Sequence, residues 1–323
     1  MNRAVQVVAT TGPDGVRLQD VADPVAAPGE VVIDVHAIGV SFPDLLLSRG
    51  EYQLRPDLPF TLGADCAGTV SSPSGALEAG RRVAAFLPHG AAAERVAVPA
   101  SWVFPLPDAI SFVQGAALPL NYLTAHFALA VRAQLRPGEV VLVHGAAGGV
   151  GTACVQVARG LGARTVAVVS TEEKRQVALA AGADHAVLLS GFRDAVAEIT
   201  DGAGVDVVVD VVGGDVVTDS LRSLAPFGRL LVVGFAAGQG IPEVKLNRLL
   251  LNNIDVRGVG WGAYAVPRAG YKAEQWAELV PMMDSGVVAP VVGATYAMAD
   301  FAEALVDMDA RRTLGKSVVL VRD

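Results

Sequence analysis

Apolar positions along the chain follow three successive rhythms. From Met1 to about Pro119, short apolar runs alternate with Gly- and Pro-punctuated turns. The pattern predicts an opening strand in MNRAVQVVAT and strands at 31–38, 66–70, 82–86 and 94–98. Many short strands between turn signals make a compact β-rich unit. From about Leu120 to Gly262 the rhythm lengthens into strand–helix alternation. Strands are predicted at 140–144, 165–169, 185–189, 205–211, 229–233 and 255–259, with helices at 149–162 and 172–181, the second closed by Gly182. Strands separated by helices of this length build βαβ units and hence a parallel sheet. From about Pro290 the short-strand rhythm returns, with strands at 291–296 and 317–321 around a helix at 301–307. The expected fold class is α/β. A β-rich unit (1–119, completed by a helical return and final strands over 263–323) is split around an inserted doubly wound parallel sheet at 120–262.

Composition narrows the class further. Hydrophobic residues make up 52% of the chain and charged residues 18%, which supports a large core and excludes wholesale disorder. No uninterrupted apolar run reaches the ~18 residues of a membrane span; Val205–Val212 is broken by Asp206 and Asp210. The opening residues lack the charged and apolar regions of a signal peptide, so a cytoplasmic protein with no membrane partner is expected. A net charge of −8 without any basic block speaks against a nucleic-acid partner. The 2 cysteines, Cys66 and Cys154, lie far apart and outside any CxxC, which leaves neither a disulfide framework nor a cysteine-rich zinc site. His36, His89, His126, His144 and His185 are scattered singly, and no metal is expected.

The strand VVLVH runs directly into Gly145, Ala146, Ala147, Gly148, Gly149, Val150 and Gly151, and then into a helix. In that context glycines permit the tight turn, let the backbone approach a pyrophosphate and allow close helix–sheet contact. The helix N-terminus offers free N–H groups and positive dipole to the phosphates. A strict GxGxxG is absent: Ala146 holds the first position, with Gly148 and Gly151 at the other two. The next strand ends in Ser170 and Thr171, with Lys174 and Arg175 a turn later. An acidic residue at that tip would grip a ribose 2′-hydroxyl, whereas hydroxyls and cations suit a 2′-phosphate. NADP is favoured over NAD, and Glu172 and Glu173 are read as first-turn helix residues. Gly234 and Phe235, at the end of a later strand, fall where ligands of such sheets bind.

Taken in order, GVSFPDLLLSRGEY at 39–52, PFTLGADCAGTV at 59–70, the glycine loop, and RRTLGKSVVL at 311–320 resemble the signatures of zinc-free quinone oxidoreductases (zeta-crystallin-like) of the medium-chain dehydrogenase/reductase superfamily. The resemblance covers essentially the whole chain. It implies a GroES-like catalytic domain, an inserted Rossmann domain, NADPH as cofactor, a quinone or activated enone as acceptor, and a homodimer. Zinc alcohol dehydrogenases share this architecture, but their catalytic metal needs Cys and His ligands. Here Ser41 stands at the first ligand position, Ala64 replaces the histidine of the G-H-E motif, and the second cysteine position falls near Leu120. Reduction of an electron-poor acceptor then fits better than alcohol oxidation.

By the same resemblance, Tyr52 matches a tyrosine assigned as proton donor in related enoyl-thioester reductases. The commonly found asparagine at 41 is Ser41 here, and a frequent tyrosine is Leu46, which implies a less polar pocket. Asp44 is either part of the catalytic set or a cap on the local helix. Thr124 is placed near the nicotinamide end of the cofactor, and Arg311 matches an arginine on the 2′-phosphate. Two alternatives stay open: an enoyl-thioester reductase using Tyr52 as acid, and a non-catalytic NADPH-binding protein of crystallin-like or RNA-binding type.

Overall fold

The computed structural model describes residues 1–75 and 77–322. The chain divides into two units, one of 1–121, 268–280 and 290–323, the other of 122–267 and 281–289. The first unit opens with β1 (Asn2–Val7), β2 (Val16–Val21), β3 (Glu30–Gly39), β4 (Phe60–Thr61), β5 (Asp65–Ser72), β6 (Arg82–Phe86), β7 (Arg95–Pro99) and β8 (Val103–Pro105). The second carries β9 (Val140–His144), β10 (Arg164–Val169), β11 (His185–Leu188), β12 (Val205–Asp210), β13 (Leu224–Val232) and β14 (Asp255–Gly258). The chain then closes the first unit with β15 (Val292–Ala297) and β16 (Lys316–Leu320).

In the first unit, β16 lies between β15 and β3 in a sheet that continues through β5, β6 and β8, with β7 on β3. A smaller sheet is ordered β2-β1-β4. Valine, isoleucine and leucine side chains from β3, β5, β6 and the Phe42–Arg49 helix share one core, which fixes that helix against the sheet. In the second unit, the order β11-β10-β9-β12-β13-β14 is parallel throughout. That is the doubly wound dinucleotide-binding order, whose switch point lies between β9 and β12. Every residue of β9 is buried, as a strand covered on both faces requires, so it reads as a continuous apolar run.

β2, β4 and β8 are not among the strands expected from the sequence, and two further stretches differ from that expectation. β13 begins at Leu224, not Arg229, and its pairing with β12 slips between Val205 and Val207. Pro226 and the left-handed Phe227 (φ +65°) interrupt the apolar pattern there. A continuous helical run also occupies Pro119–His126 and, as a wider π-turn, Phe127–Ala133. Most side chains in it are buried, so no clear amphipathic period marks it. Among the described residues, no helix is long and apolar enough to cross a membrane.

Candidate functional site

The residues singled out in the sequence form two groups, one in each unit. In the second unit, the glycine loop leaves the carboxyl end of β9 and enters the Gly149–Gly160 helix with Gly148 as N-cap. Gly145 takes φ +62°, and a Cβ there would stand 2.8 Å from Val211 Cγ2. A Cβ on Gly151 would lie 2.1 Å from the Gly145 carbonyl oxygen, so only glycine lets the helix pack this closely. At Gly148 the nearest atom to an added Cβ is that same oxygen at 3.4 Å, an ordinary contact. Packing within the loop therefore does not require a glycine at this position. Ala146 and Ala147 are buried beneath it, while Gly149 and Val150 begin the helix half-exposed. The first N–H groups of a helix have no partner within it and are free for an anion.

The neighbouring strand ends complete this edge. Asp210, the last residue of β12, is buried, and its Oδ1 accepts from the backbone N–H of Val212 (2.8 Å) and Gly213 (2.9 Å). Burial raises its pKa against the pull of those two bonds. The chain beyond β13 is tied to the same turn: the Val233 N–H donates to the Asp210 carbonyl at 2.9 Å, and that of Ala236 to Val211 at 3.1 Å. Gly234 and Phe235 thus flank the turn after β12, and a Cβ on Gly213 would meet the Phe235 ring at 2.8 Å. Sequence reasoning gave Asp210 no role; its only signal was a carboxylate at the end of an otherwise apolar strand.

After β10, Ser170 and Thr171 are exposed. Thr171 caps the Glu172–Ala180 helix, its Oγ1 accepting from the Lys174 N–H at 3.3 Å, which leaves its own O–H to donate elsewhere. Arg175 is held by Glu172 at 3.1 Å. Thr124 is buried in the Pro119–His126 helix, beside a Tyr122 whose hydroxyl donates to Gln156 at 2.6 Å. Arg311 belongs to the first unit, exposed and left-handed (φ +57°) at the exit of the Phe301–Asp309 helix.

In the first unit, Ser41 is the N-cap of the Phe42–Arg49 helix. Asp44 is fully buried; its Oδ2 accepts from the Ser41 N–H and its Oδ1 from the Gly63 N–H, each at 2.8 Å. Burial pushes the Asp44 carboxyl up to about 6, against these two bonds and the attraction of Lys316. Gly63 takes φ +92°, and a Cβ there would lie 2.4 Å from the Ala92 nitrogen, so both backbone angle and space call for glycine. Gly50 ends the helix in the left-handed region, and Tyr52 follows, half-buried against the core. Burial first and the nearby Asp44 second raise the Tyr52 pKa, so the phenol keeps its proton at neutral pH.

Two partners of Ser41 carried no assigned role in the sequence. Lys316 Nζ donates to Ser41 Oγ at 2.6 Å and to Asp65 Oδ2 at 2.7 Å, and the Ser41 hydroxyl donates to the same carboxylate oxygen at 3.3 Å. Asp65 Oδ1 accepts from the Leu120 N–H at 2.8 Å. The visible signal was one lysine in the apolar run KSVVL and one aspartate in LGADCAG. Among the described residues, no group of three or more His, Cys, Asp or Glu is placed to hold a metal ion.

Comparison with known proteins agrees with both halves of this picture. Residues 27–108 match the alcohol dehydrogenase GroES-like domain, and residues 149–285 match the zinc-binding dehydrogenase domain. The chain is 36% identical to mouse quinone oxidoreductase-like protein 2 over 94% of its own length and 89% of that protein. It superposes on the Pseudomonas syringae pv. Tomato DC3000 quinone oxidoreductase with a TM-score of 0.90 at 34% identity, covering 99% of this chain and 100% of the other. Against mycobacterial Rv1454c complexed with NADPH the TM-score is 0.91, again at 34% identity, with 99% and 100% covered.

Proposed function

The chain belongs to the zinc-free quinone oxidoreductases of the medium-chain dehydrogenase/reductase superfamily, and on that footing we propose that it is an NADPH-dependent reductase of quinones or activated enones. The observation that carries this proposal is the cradle at the end of β9. Its backbone leaves the space of a side chain open at Gly148, directly over a helix N-terminus and next to the switch point of the sheet. A pyrophosphate fits that chemistry. When bound, NADPH supplies the hydride and its electron pair.

The roles of the chain's own residues follow. The N–H groups of Gly149, Val150 and Gly151 hold the pyrophosphate. Ser170, Thr171 and Lys174 receive the 2′-phosphate, where no carboxylate occupies the tip of β10, and Arg311 contributes further positive charge. Thr124, Gly234 and Phe235 contact the nicotinamide half. Ser41 hydrogen-bonds the acceptor's carbonyl oxygen, and Tyr52, protonated at neutral pH, supplies the final proton to an enone. Asp44 works as a positioning residue, tying the backbone of Ser41 to that of Gly63 through one hydrogen bond on each oxygen.

A second copy of the chain is the proposed partner. β14 is one of the two edges of the six-stranded sheet, and Ile241, Leu246, Leu250 and Leu251 are exposed in the segment leading to it. An open strand edge can pair with its own copy about a two-fold axis.

The test is turnover of NADPH and NADH, side by side, against quinones, small enones and enoyl-thioesters. Preferential NADPH oxidation with quinones or enones is expected. Turnover confined to thioesters would place the protein among enoyl-thioester reductases. Tight NADPH binding with no turnover of any acceptor would make it a binding protein.

A further inference from the structure

Lys316 is a fully embedded cation whose presence stability alone does not explain. It is 4% exposed, its partner Asp65 is 0% exposed, and beyond Ser317 the rest of its strand is apolar. Withdrawing two charges from water costs more than many such pairs return, and apolar replacements of buried pairs are often neutral or stabilising. The geometry around the pair is also tightly specified. A Cβ on Gly39 would fall 2.1 Å from the Ala116 carbonyl oxygen and 2.7 Å from Lys316 Cε, so β3 is bare where the backbone of Ala116 and the lysine stem both pack against it. Asp65 is fixed by the Leu120 N–H on one oxygen and by Lys316 on the other.

What this construction serves is Ser41. Its backbone N–H is held by Asp44, and its Oγ accepts from Lys316 at 2.6 Å. The remaining freedom is the swing of the hydroxyl hydrogen. Its one acceptor among these groups, Asp65 Oδ2, lies at 3.3 Å and already receives the ammonium. A hydroxyl that accepts a short charge-assisted bond is polarised into a stronger donor.

We propose that Lys316, locked by Asp65, is a positioning residue that fixes Ser41 Oγ and strengthens its O–H as the donor to the carbonyl oxygen of a quinone or enone. The proposal rests on the function proposed above. In the step it serves, the acceptor carbon gains the hydride with its electron pair, and the conjugated π electrons shift so that negative charge collects on the carbonyl oxygen. The Ser41 hydrogen bond, backed by the buried ammonium, meets that charge. No bond to Ser41 forms or breaks, and the proton that completes the reduction comes from Tyr52 or water.

The experiment compares Lys316→Met, Lys316→Arg, Ser41→Ala and the Lys316→Met/Ser41→Ala double variant in the full chain. Enone kcat should fall about 10²-fold in Lys316→Met and in Ser41→Ala, the loss typical of one oxyanion donor. KM and NADPH affinity should change little, and Lys316→Arg should recover most of the rate. The double variant should lose little more than either single one, because both act through one hydrogen bond. A purely structural lysine would give independent losses and no rescue. A second readout needs no turnover: para-nitrophenol bound to the NADP⁺-loaded protein should ionise at lower pH than the free phenol, and the shift should vanish in Ser41→Ala. Should Lys316→Met fail to fold, the Ser41→Ala and Lys316→Arg results decide. Unchanged enone kcat and an unchanged phenol shift in a folded Ser41→Ala or Lys316→Met would overturn the proposal while leaving the reductase intact. A wild-type protein that reduces no quinone or enone yet shifts the phenol would fail the function proposed above and not this one. A wild type that shows no shift would overturn this one.

Discussion

Tyr52 follows directly on the left-handed turn that ends the Phe42–Arg49 helix, and the same helix carries Ser41 at its start and Asp44 in its first turn. With each oxygen accepting a backbone N–H, one from Ser41 at the start of the helix and one from Gly63, Asp44 anchors this helix. Tyr52 has a raised pKa and a half-buried ring, which suit a group that gives up its proton only to a strongly basic enolate. Tyr52→Phe should therefore lower enone kcat by about 10²-fold, while quinone reduction, whose product oxygens water can protonate, should change little. Steady-state rates with both acceptor types check this. At this scale the sequence was informative where chemistry is local: the cap residue, the tyrosine after the helix and the hydroxyls at the tip of β10 are each visible within a few positions. The Ser41–Asp65–Lys316 cluster was not, because its members stand 24 and 251 positions apart and are joined only by the pairing of β3 with β5 and β16.

The glycine loop gives the sharpest test at the level of an element. Gly151 and Gly148 lie three positions apart, yet the structure assigns them different work. Gly151→Ala drives a Cβ to 2.1 Å from a backbone oxygen, so loop and helix must separate. It should cost roughly 1–3 kcal/mol of stability, the usual penalty of overpacking, and NADPH binding with it. Gly148→Ala meets nothing closer than 3.4 Å at an ordinary φ of −89°, so the fold should be spared. Its methyl would still occupy the space over the helix N-terminus, and NADPH affinity should drop without a matching change in the urea midpoint. Urea denaturation and fluorescence titration of NADPH, run on both variants, separate the two effects. The strands and helices around this loop were legible because a parallel sheet demands continuous apolar strands, and glycine stops mark the helix ends. The turn that Asp210 organises was not legible, since its hydrogen bonds run to the backbone and leave no side-chain pattern.

Across the whole molecule, two consequences follow from what is buried and what is left open. His144, fully buried at the end of β9, bonds Ser220 Oγ at 2.8 Å, and burial lowers its pKa from 6.5 to about 4. Above pH 6.5 the histidine is neutral in both folded and unfolded chains and makes no difference. As pH falls from 6.5 to 4 the unfolded chain takes up the proton first, so stability is lost, by about 3 kcal/mol in all. Asp44, whose pKa is raised to about 6, acts in the opposite sense over much of the same range. Comparing the wild type with His144→Gln cancels that contribution: the stability gap in urea should shift in favour of the variant as pH is lowered through this window. A gap independent of pH would remove His144 from the acid response. On the outside, Leu250 and Leu251 are 76% and 73% exposed close to the open edge at β14. Light scattering should give the mass of a dimer, and Leu250→Glu with Leu251→Glu should shift it towards the monomer. A wild-type monomer at micromolar concentration would discard the self-pairing of this edge.

The alternation of strands and helices was sufficient to place a doubly wound sheet between two stretches of β-rich chain. The division of the late segment was not readable, because 281–289 lies with the second unit although it follows the first unit's 268–280 without a break. A helix, Tyr271–Asp284, runs across that point, and a continuous helix carries no boundary signal. Whether the protein moves hydride from NADPH onto an acceptor carbon can be decided by a single-turnover experiment. NADPH deuterated at the reactive nicotinamide carbon is mixed with the protein and excess enone, and the product is weighed by mass spectrometry. One deuterium is expected on carbon in the saturated ketone, from one of the two faces of the nicotinamide. NADPH oxidised without deuterium in the product, or not oxidised by any acceptor despite tight binding, would contradict it.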